Sequence, residues 1–209
     1  ALLSEAQIKA LQQQINPHFI YNSMETLMGM ASEGQNQEII EICKCISAML
    51  RYNTRMAGNS TIKDELMQVQ NYTKVMAMRM VGSFEPQYAV DPECLDAKIV
   101  KFSLQPLVEN AVNYALEQME KTCRIQVVIR EEDGDILCSV ADNGVGIDPQ
   151  ILDKLKLGTI RAQGNGVGLT NLDERLKSLY GPGYGIRVEN SPAGGALIWF
   201  RVKKEMSGT

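Results

Sequence analysis

The chain has 209 residues, 44% of them hydrophobic and 22% charged, with a formal net charge of -4. That length holds one or two domains and a core large enough to fold without staples. Acidity without a basic block argues against a nucleic-acid partner, and no apolar run reaches the ~18 residues a membrane span needs. Residues 1–5 run straight into a polar helix pattern, so no signal peptide is expected. The five cysteines are odd in number and lack C-x-x-C spacing, which predicts reduced, buried thiols. The single histidine, His18, excludes paired-histidine catalysis and His-rich metal sites. Most of the eleven methionines fall in the first eighty residues and read as core filler.

The first predicted element is a helix over residues 4–31, with Ile8, Leu11, Ile15 and Phe19 in its stripe. Pro17 sits inside it and predicts a bend over residues 13–18, because proline cannot bond to the Gln13 carbonyl. A second helix carries Ile39, Ile42, Ile46 and Met49, with Cys43 and Leu50 as a second row. Gly34 separates the two, and Gly58 follows as a C′ residue. Such a hairpin needs a partner for its stripes, and a second copy would complete a four-helix bundle. A third helix opens at Thr61, with Asp64 three residues on to close a cap. Its stripe is Ile62, Leu66, Val69, Thr73, Met76 and Met80. A domain boundary is expected at residues 58–61, dividing the chain into 1–58 and 59–209.

Beyond residue 82 the period changes. Residues 84–91 read as a strand. Ile125, Val127 and Ile129 alternate, as do Ile136, Cys138 and Val140, with Asp133-Gly134 as a hairpin turn between them. Residues 185–189 and 196–202 form another pair, turned by Pro192-Ala193-Gly194. Helices are expected over 103–118, 149–155 and 169–179. The fold class is therefore α+β: a helical hairpin, then a two-layer α/β sandwich of antiparallel strands with one open face.

Three segments of the sandwich suggest chemistry. On the helix of residues 104–115, Leu104, Leu107, Val108, Ala111 and Ala115 share one face and Asn110, Asn113 and Tyr114 another. The second face is either a solvated polar surface or a site for Mg2+ and phosphate, since magnesium is content with few protein oxygens. Asp142-Asn143-Gly144-Val145-Gly146 ends a strand. It is either an ordinary turn or a carboxylate poised to accept from an exocyclic amine such as adenine's, with glycines allowing close approach. Gly164-Asn165-Gly166-Val167-Gly168-Leu169 opens a helix whose N–H groups suit phosphate. No strand precedes it, which rules out a dinucleotide fingerprint, and no P-loop occurs. Residues 158–165 read as a mobile lid.

The order of the Asn helix, Asp-x-Gly-x-Gly and Gly-x-Gly-x-Gly-Leu resembles the ATP-binding domain of the GHKL superfamily. That superfamily holds histidine kinases, gyrase-type and mismatch-repair ATPases and the ninety-kilodalton heat-shock chaperones. Leu11-Gln-Gln-Gln-Ile-Asn-Pro-His-Phe-Ile-Tyr-Asn22 is similar to the phosphoacceptor segment of LytS-type sensor histidine kinases. Arg51-Tyr52, Asp64-Glu65-Leu66, Asn71-Tyr72, residues 104–111 and Asn171-Leu-Asp-Glu-Arg-Leu176 resemble that family too. The resemblance implies ATP and Mg2+ as ligands and His18 as phosphoacceptor. It also implies Asn110 on Mg2+, Asn113 and Tyr114 lining the nucleotide, and Asp142 reading the adenine amine. Gly144 and Gly146 would shape the adenine pocket, and Gly164, Gly166, Gly168 and Leu169 would flank lid and phosphates. It further implies a homodimer, a response-regulator receiver domain as partner, and a sensor and membrane span upstream of this sequence, which would be the cytoplasmic part. Two positions depart from the pattern. Asn113 stands where relatives often carry Lys, Arg or His, and Phe19 where many histidine kinases carry an acid as general base. Glu109, beside Asn110, is the candidate base that remains. Two other readings stay open: a non-catalytic dimeric module that binds nucleotide, and a GHKL ATPase without histidine phosphorylation.

Overall fold

The computed structural model describes residues 17–54, 59–116, 122–149, 152, 167–192 and 194–205. The expected helix start at residues 4–16, the bend at Gln13, Gly58 and the 158–165 lid lie outside them, as does most of the 149–155 helix. The chain divides into two compact units, Ala1–Met56 with Gln70–Val81, and Ala57–Val69 with Gly82–Thr209.

In the first unit, helices α1 (Pro17–Ser32) and α2 (Asn36–Thr54) form the expected hairpin. Gly34, at φ 75, turns the chain between them, a left-handed position that glycine occupies without a Cβ penalty. The buried stripe of α2 is Ile42, Cys45, Ile46, Met49 and Tyr52. Cys43 and Leu50, the second row, are exposed in the single chain, so four of the five thiols are buried rather than all. The methionines divide as well: Met30, Met49 and Met76 are core, whereas Met24, Met28 and Met67 face outward. Helical position, not residue type, sorts them.

Helix α3 (Ile62–Arg79) follows a short strand, β1 (Asn59–Thr61). Its cap is reciprocal. The Asp64 N–H donates to Thr61 Oγ1 at 3.2 Å, and the Thr61 N–H and hydroxyl donate to Asp64 Oδ2 at 3.3 and 2.9 Å. The dividing line between the units runs through this helix: residues 62–69 belong to the second unit and 70–79 to the first. In the first unit, Tyr72 of α3 stacks against Phe19 of α1, ring centroids 5.2 Å apart.

The second unit is built on a five-stranded sheet in the order β2 (Phe84–Val90), β4 (Cys123–Glu132), β5 (Asp135–Asp142), β7 (Ala196–Lys203), β6 (Arg187–Asn190). The β4–β5 hairpin turns at Asp133 and Gly134, whose φ values of 54 and 83 suit a two-residue primed turn. The sheet is mixed, not antiparallel throughout: β2 pairs in parallel with β4. The cause is the connection between them, which carries helix α4 (Gln105–Leu116), and parallel neighbours need a crossover of that kind. β1 and β3 (Lys98–Val100) add a small antiparallel pair not foreseen in the strand pattern.

One face of the sheet offers Ile125, Val127, Ile129, Ile136, Cys138, Val140, Ile198, Phe200 and Val202, all buried. Helix α4 and helix α5 (Val167–Tyr180) supply the opposing layer through Leu107, Val108, Ala111, Leu172 and Leu176. Arg124, Gln126 and Arg130 alternate onto the other face and stay exposed, as a sheet covered on one side requires. Among the described residues, no helix is long and apolar enough to cross a membrane.

Candidate functional site

Helix α4 follows directly from its two-faced pattern. Leu104, Leu107, Val108, Ala111 and Val112 are buried, which turns Asn110 and Asn113 to a half-buried flank. Glu109 is also half-buried. Its carboxylate accepts from Gln105 Nε2 at 2.7 Å, and Gln105 Oε1 accepts from the buried Gln68 amide at 3.2 Å. Burial pushes the Glu109 carboxyl above its usual range, against the lowering by Gln105.

Asp142 stands at the end of β5, 9% exposed. Its Oδ1 accepts the N–H groups of Gly144 (2.8 Å) and Ala196 (3.2 Å). Among the described residues Oδ2 receives no bond, so one oxygen is held and the other is available. Burial raises this carboxyl above its usual range, more than the two N–H bonds lower it. Burial, reinforced by the Asp142 charge, also pushes the Cys123 thiol up to about 11.

The loop after Asp142 is pinned at both ends. Asn143 Oδ1 accepts from the Arg124 N–H at 2.7 Å, and its amide donates to the Thr122 carbonyl at 2.9 Å. Asn190 of β6 grips the Ile147 peptide on both edges, accepting its N–H at 2.7 Å and donating to its carbonyl at 2.9 Å. Gly146 lets Asn190 come this close: a Cβ there would stand 2.8 Å from Asn190 Oδ1. Gly195 does the same for Asp142, where a Cβ would meet the Asp142 carbonyl oxygen at 2.0 Å.

Gly168 lies in the first turn of α5, and a Cβ there would be 3.5 Å from Pro106 at the start of α4. Leu169 beside it is half-buried. Contacts of α4 with β5 and with α5 make neighbours of the elements that carry Asn110, Asn113, Asp142 and Gly168. The Tyr114 side chain, Gly164 and Gly166 lie outside the described residues. Farther along α5, Asp173 accepts from the Ile186 N–H at 2.8 Å and pairs with Lys177 at 2.6 Å.

In the first unit, His18 is exposed on α1, and the Asn22 amide one turn on stands 3.3 Å from both ring nitrogens. Phe19, where an acid would serve as base, is a core residue against Tyr72. An acid at that position would be taken out of water, at a cost that Phe19 does not carry.

The supports that sequence reasoning did not single out are Asn190 and Gly195 around the Asp142 loop, and Glu65 and Arg175, which bond to the backbone of residues 101–104. Glu65 carried a readable signal: an acid one turn from Ile62 and Val69 falls beside an apolar stripe. Asn190 and Gly195 carried none, since their partners are distant in the chain.

Comparison with known proteins agrees with this layout. The histidine kinase family model matches residues 6–84, and the histidine kinase-, DNA gyrase B-, and HSP90-like ATPase model matches residues 96–206. The sensor histidine kinase YesM of Bacillus subtilis is 33% identical over 198 residues, which cover 94% of this chain and 33% of that protein. The sensor protein LytS of Staphylococcus epidermidis is 34% identical over 213 residues, 98% of this chain and 35% of its own length. The chain thus spans about a third of the length of these relatives. Among solved structures, the catalytic domain of histidine kinase ThkA aligns with TM-score 0.55 at 16% identity, covering 73% of this chain and 99% of that one. ThkA solved in complex with response regulator protein TrrA aligns with TM-score 0.54 at 16% identity, over 98% of this chain and 62% of that one. The ATPase-family match to residues 96–206, which include the Asp142 strand and the Asn face of α4, makes the second unit a nucleotide-binding domain. The chain belongs to the sensor histidine kinases, within the family of histidine kinase-, DNA gyrase B- and HSP90-like ATPases.

Proposed function

We propose that this chain is the kinase portion of a LytS-type sensor histidine kinase, which binds ATP with Mg2+ and phosphorylates itself on His18. Residues 1–58 would carry the phosphoacceptor and dimerise, and residues 59–209 would bind ATP. One pairing carries the reading: the chain's sole histidine is exposed on α1, and residues 96–206 match a nucleotide-binding ATPase family.

In this reading Asp142 Oδ2 accepts the adenine amino hydrogen, and Gly144 and Gly146 shape the adenine pocket, Gly146 by letting Asn190 close on the loop. Asn113 and Tyr114 line the nucleotide, while Gly164, Gly166, Gly168 and Leu169 flank the phosphates. Asn110 is a hard oxygen donor on a half-buried face, and among the described residues no group of three His, Cys, Asp or Glu forms a metal cage. That donor set fits Mg2+, which keeps waters and takes its remaining oxygens from phosphate. When bound, the ion offsets phosphate charge. The His18 imidazole forms an N–P bond in line as the P–O bond to ADP breaks, a step that needs mainly positioning and charge stabilisation. Asn22 orients the ring, and Glu109 takes its proton.

The phosphoryl group then passes to an Asp of a response regulator, a step supported by the complex of ThkA with TrrA. No nucleic-acid partner belongs to this scheme. A sensor and membrane span in the remaining two thirds of the relatives' length would make this the cytoplasmic part of a membrane protein. Incubation with γ-labelled ATP and Mg2+ is expected to label the chain. His18→Gln should abolish the label yet bind nucleotide. ATP hydrolysis with no labelled protein would replace this reading with that of an ATPase.

A further inference from the structure

The turn that leads into α4, residues 101–104, is gripped by two ionic side chains of opposite sign. Glu65, in the first turns of α3, is fully buried. Its carboxylate accepts the N–H groups of Phe102 (2.6 Å), Ser103 (2.8 Å) and Leu104 (3.0 Å). From α5, Arg175 Nη2 donates to the Lys101 carbonyl oxygen at 2.6 Å. Between these two holds, Phe102 has φ 61. A bulky side chain in the left-handed region is costly, and persists where the surroundings over-determine it.

The geometry passes directly to α4. Leu107 and Val108 both bond back to the Leu104 carbonyl at 3.2 Å, so the place of Leu104 sets the first turn of the helix. Asn110 follows less than two turns later. A buried carboxylate must stay with its donors or lose its charge. The donors here are main chain, so the carboxylate and the backbone of the turn move together.

We propose that Glu65 is a positioning residue for the Mg2+-binding face of α4: by holding the 102–104 turn it sets where Asn110 meets the nucleotide. The proposal rests on the reading of Asn110 as the magnesium ligand. A displacement of about 1 Å at such a site is enough to cost up to a hundredfold in function. The grip predicts a selective defect, because base reading is assigned to Asp142 on β5, whose carboxylate is held by the Gly144 and Ala196 N–H groups rather than by the turn.

The experiment is calorimetric titration of the 209-residue chain with ADP, in Mg2+ and in EDTA. The readout is the gain in affinity that Mg2+ confers. Glu65→Gln is expected to lower that gain by about tenfold or more, while affinity in EDTA is unchanged and thermal unfolding stays cooperative. A purely structural cap would move both affinities or neither. Glu65→Asp keeps the charge but shortens the reach, and should fall between the two. If Glu65→Gln does not fold, Arg175→Met tests the opposite hold on the same turn. There a lost Mg2+ gain supports the proposal and a retained one overturns it. A folded Glu65→Gln chain with the full gain also overturns it. Asn110→Ala separates the underlying reading: a retained gain in that variant refutes Asn110 as ligand, whatever Glu65 does.

Discussion

Replacing Gly195 with alanine would place a methyl group where the main chain leaves no room. Its Cβ would stand 2.0 Å from the Asp142 carbonyl oxygen and 2.6 Å from Asp142 C and Oδ1. The obstacle is the backbone at the end of β5, so no flexible side chain can swing away. Gly195 also has φ 78, which costs an L-residue ~1–2 kcal/mol. Its neighbour supplies the control. Gly194 has φ 95, and a Cβ there would meet nothing within 4 Å, so Gly194→Ala should cost only the conformational ~1–2 kcal/mol. Gly195→Ala adds overpacking of ~1–3 kcal/mol, for ~2–5 kcal/mol in all. The displacement falls on Asp142, so ATP affinity should drop in this variant and hold in the other. Urea unfolding measures the stabilities, and calorimetric titration under folded conditions measures the affinities. Two variants of equal stability and equal affinity would refute the claim that Gly195 is required by its closeness to Asp142.

Asp142→Asn keeps an acceptor for Gly144 and Ala196 but loses the second carboxylate oxygen, so ATP affinity should fall by the ~1.5–3 kcal/mol of a charged hydrogen bond. Titration with ATP and GTP should show preference for ATP falling with it, and unchanged ATP affinity would sink the assignment. The same residue predicts a pH effect. Its folded-state pKa is raised by burial, so the stability tied to this group is full below the unfolded value and declines as pH rises through the folded one. Unfolding curves across that window should show the stability of Asp142→Asn rising relative to the parent chain as pH increases. Glu109, also raised by burial, should give autophosphorylation a rise with pH above the ordinary carboxylate range. Glu109→Gln should remove that step from the rate profile, and a profile left in place would exclude it as the base. Thr61→Ala deletes half of a reciprocal cap and should cost ~1 kcal/mol in urea unfolding.

What could be read in the sequence was local. The β4–β5 hairpin follows from two alternating runs and Asp133-Gly134, and the α3 cap from Thr61 and Asp64, because each depends on neighbours in the chain. The parallel pairing of β2 with β4 depends on where α4 crosses, and the alternation within a strand is silent about its partner. Helical period set apart the inward and outward faces of α4 correctly, and on α2 it found the row buried within the chain, while its second row, Cys43 and Leu50, is exposed in the single chain. The site shows the same limit. Asn110, Asp142 and Gly168 announce themselves by residue type and order. Their supports do not: Ala196 reaches Asp142 across 54 positions and Asn190 reaches Ile147 across 43. Glu65 stands between these cases, an acid visibly out of place on an apolar flank whose donors lie 37 to 39 residues away.

The central claim is that His18 carries the phosphoryl group, and the direct measurement is the chemical stability and position of the label. The chain holds no second imidazole, so no other histidine competes. After incubation with γ-labelled ATP and Mg2+, the account predicts a label lost in acid and retained in base, as a P–N bond requires. Mass spectrometry at alkaline pH should place it on the peptide containing His18, and His18→Gln should carry none. A label stable to acid, or one that survives His18→Gln, would contradict the account.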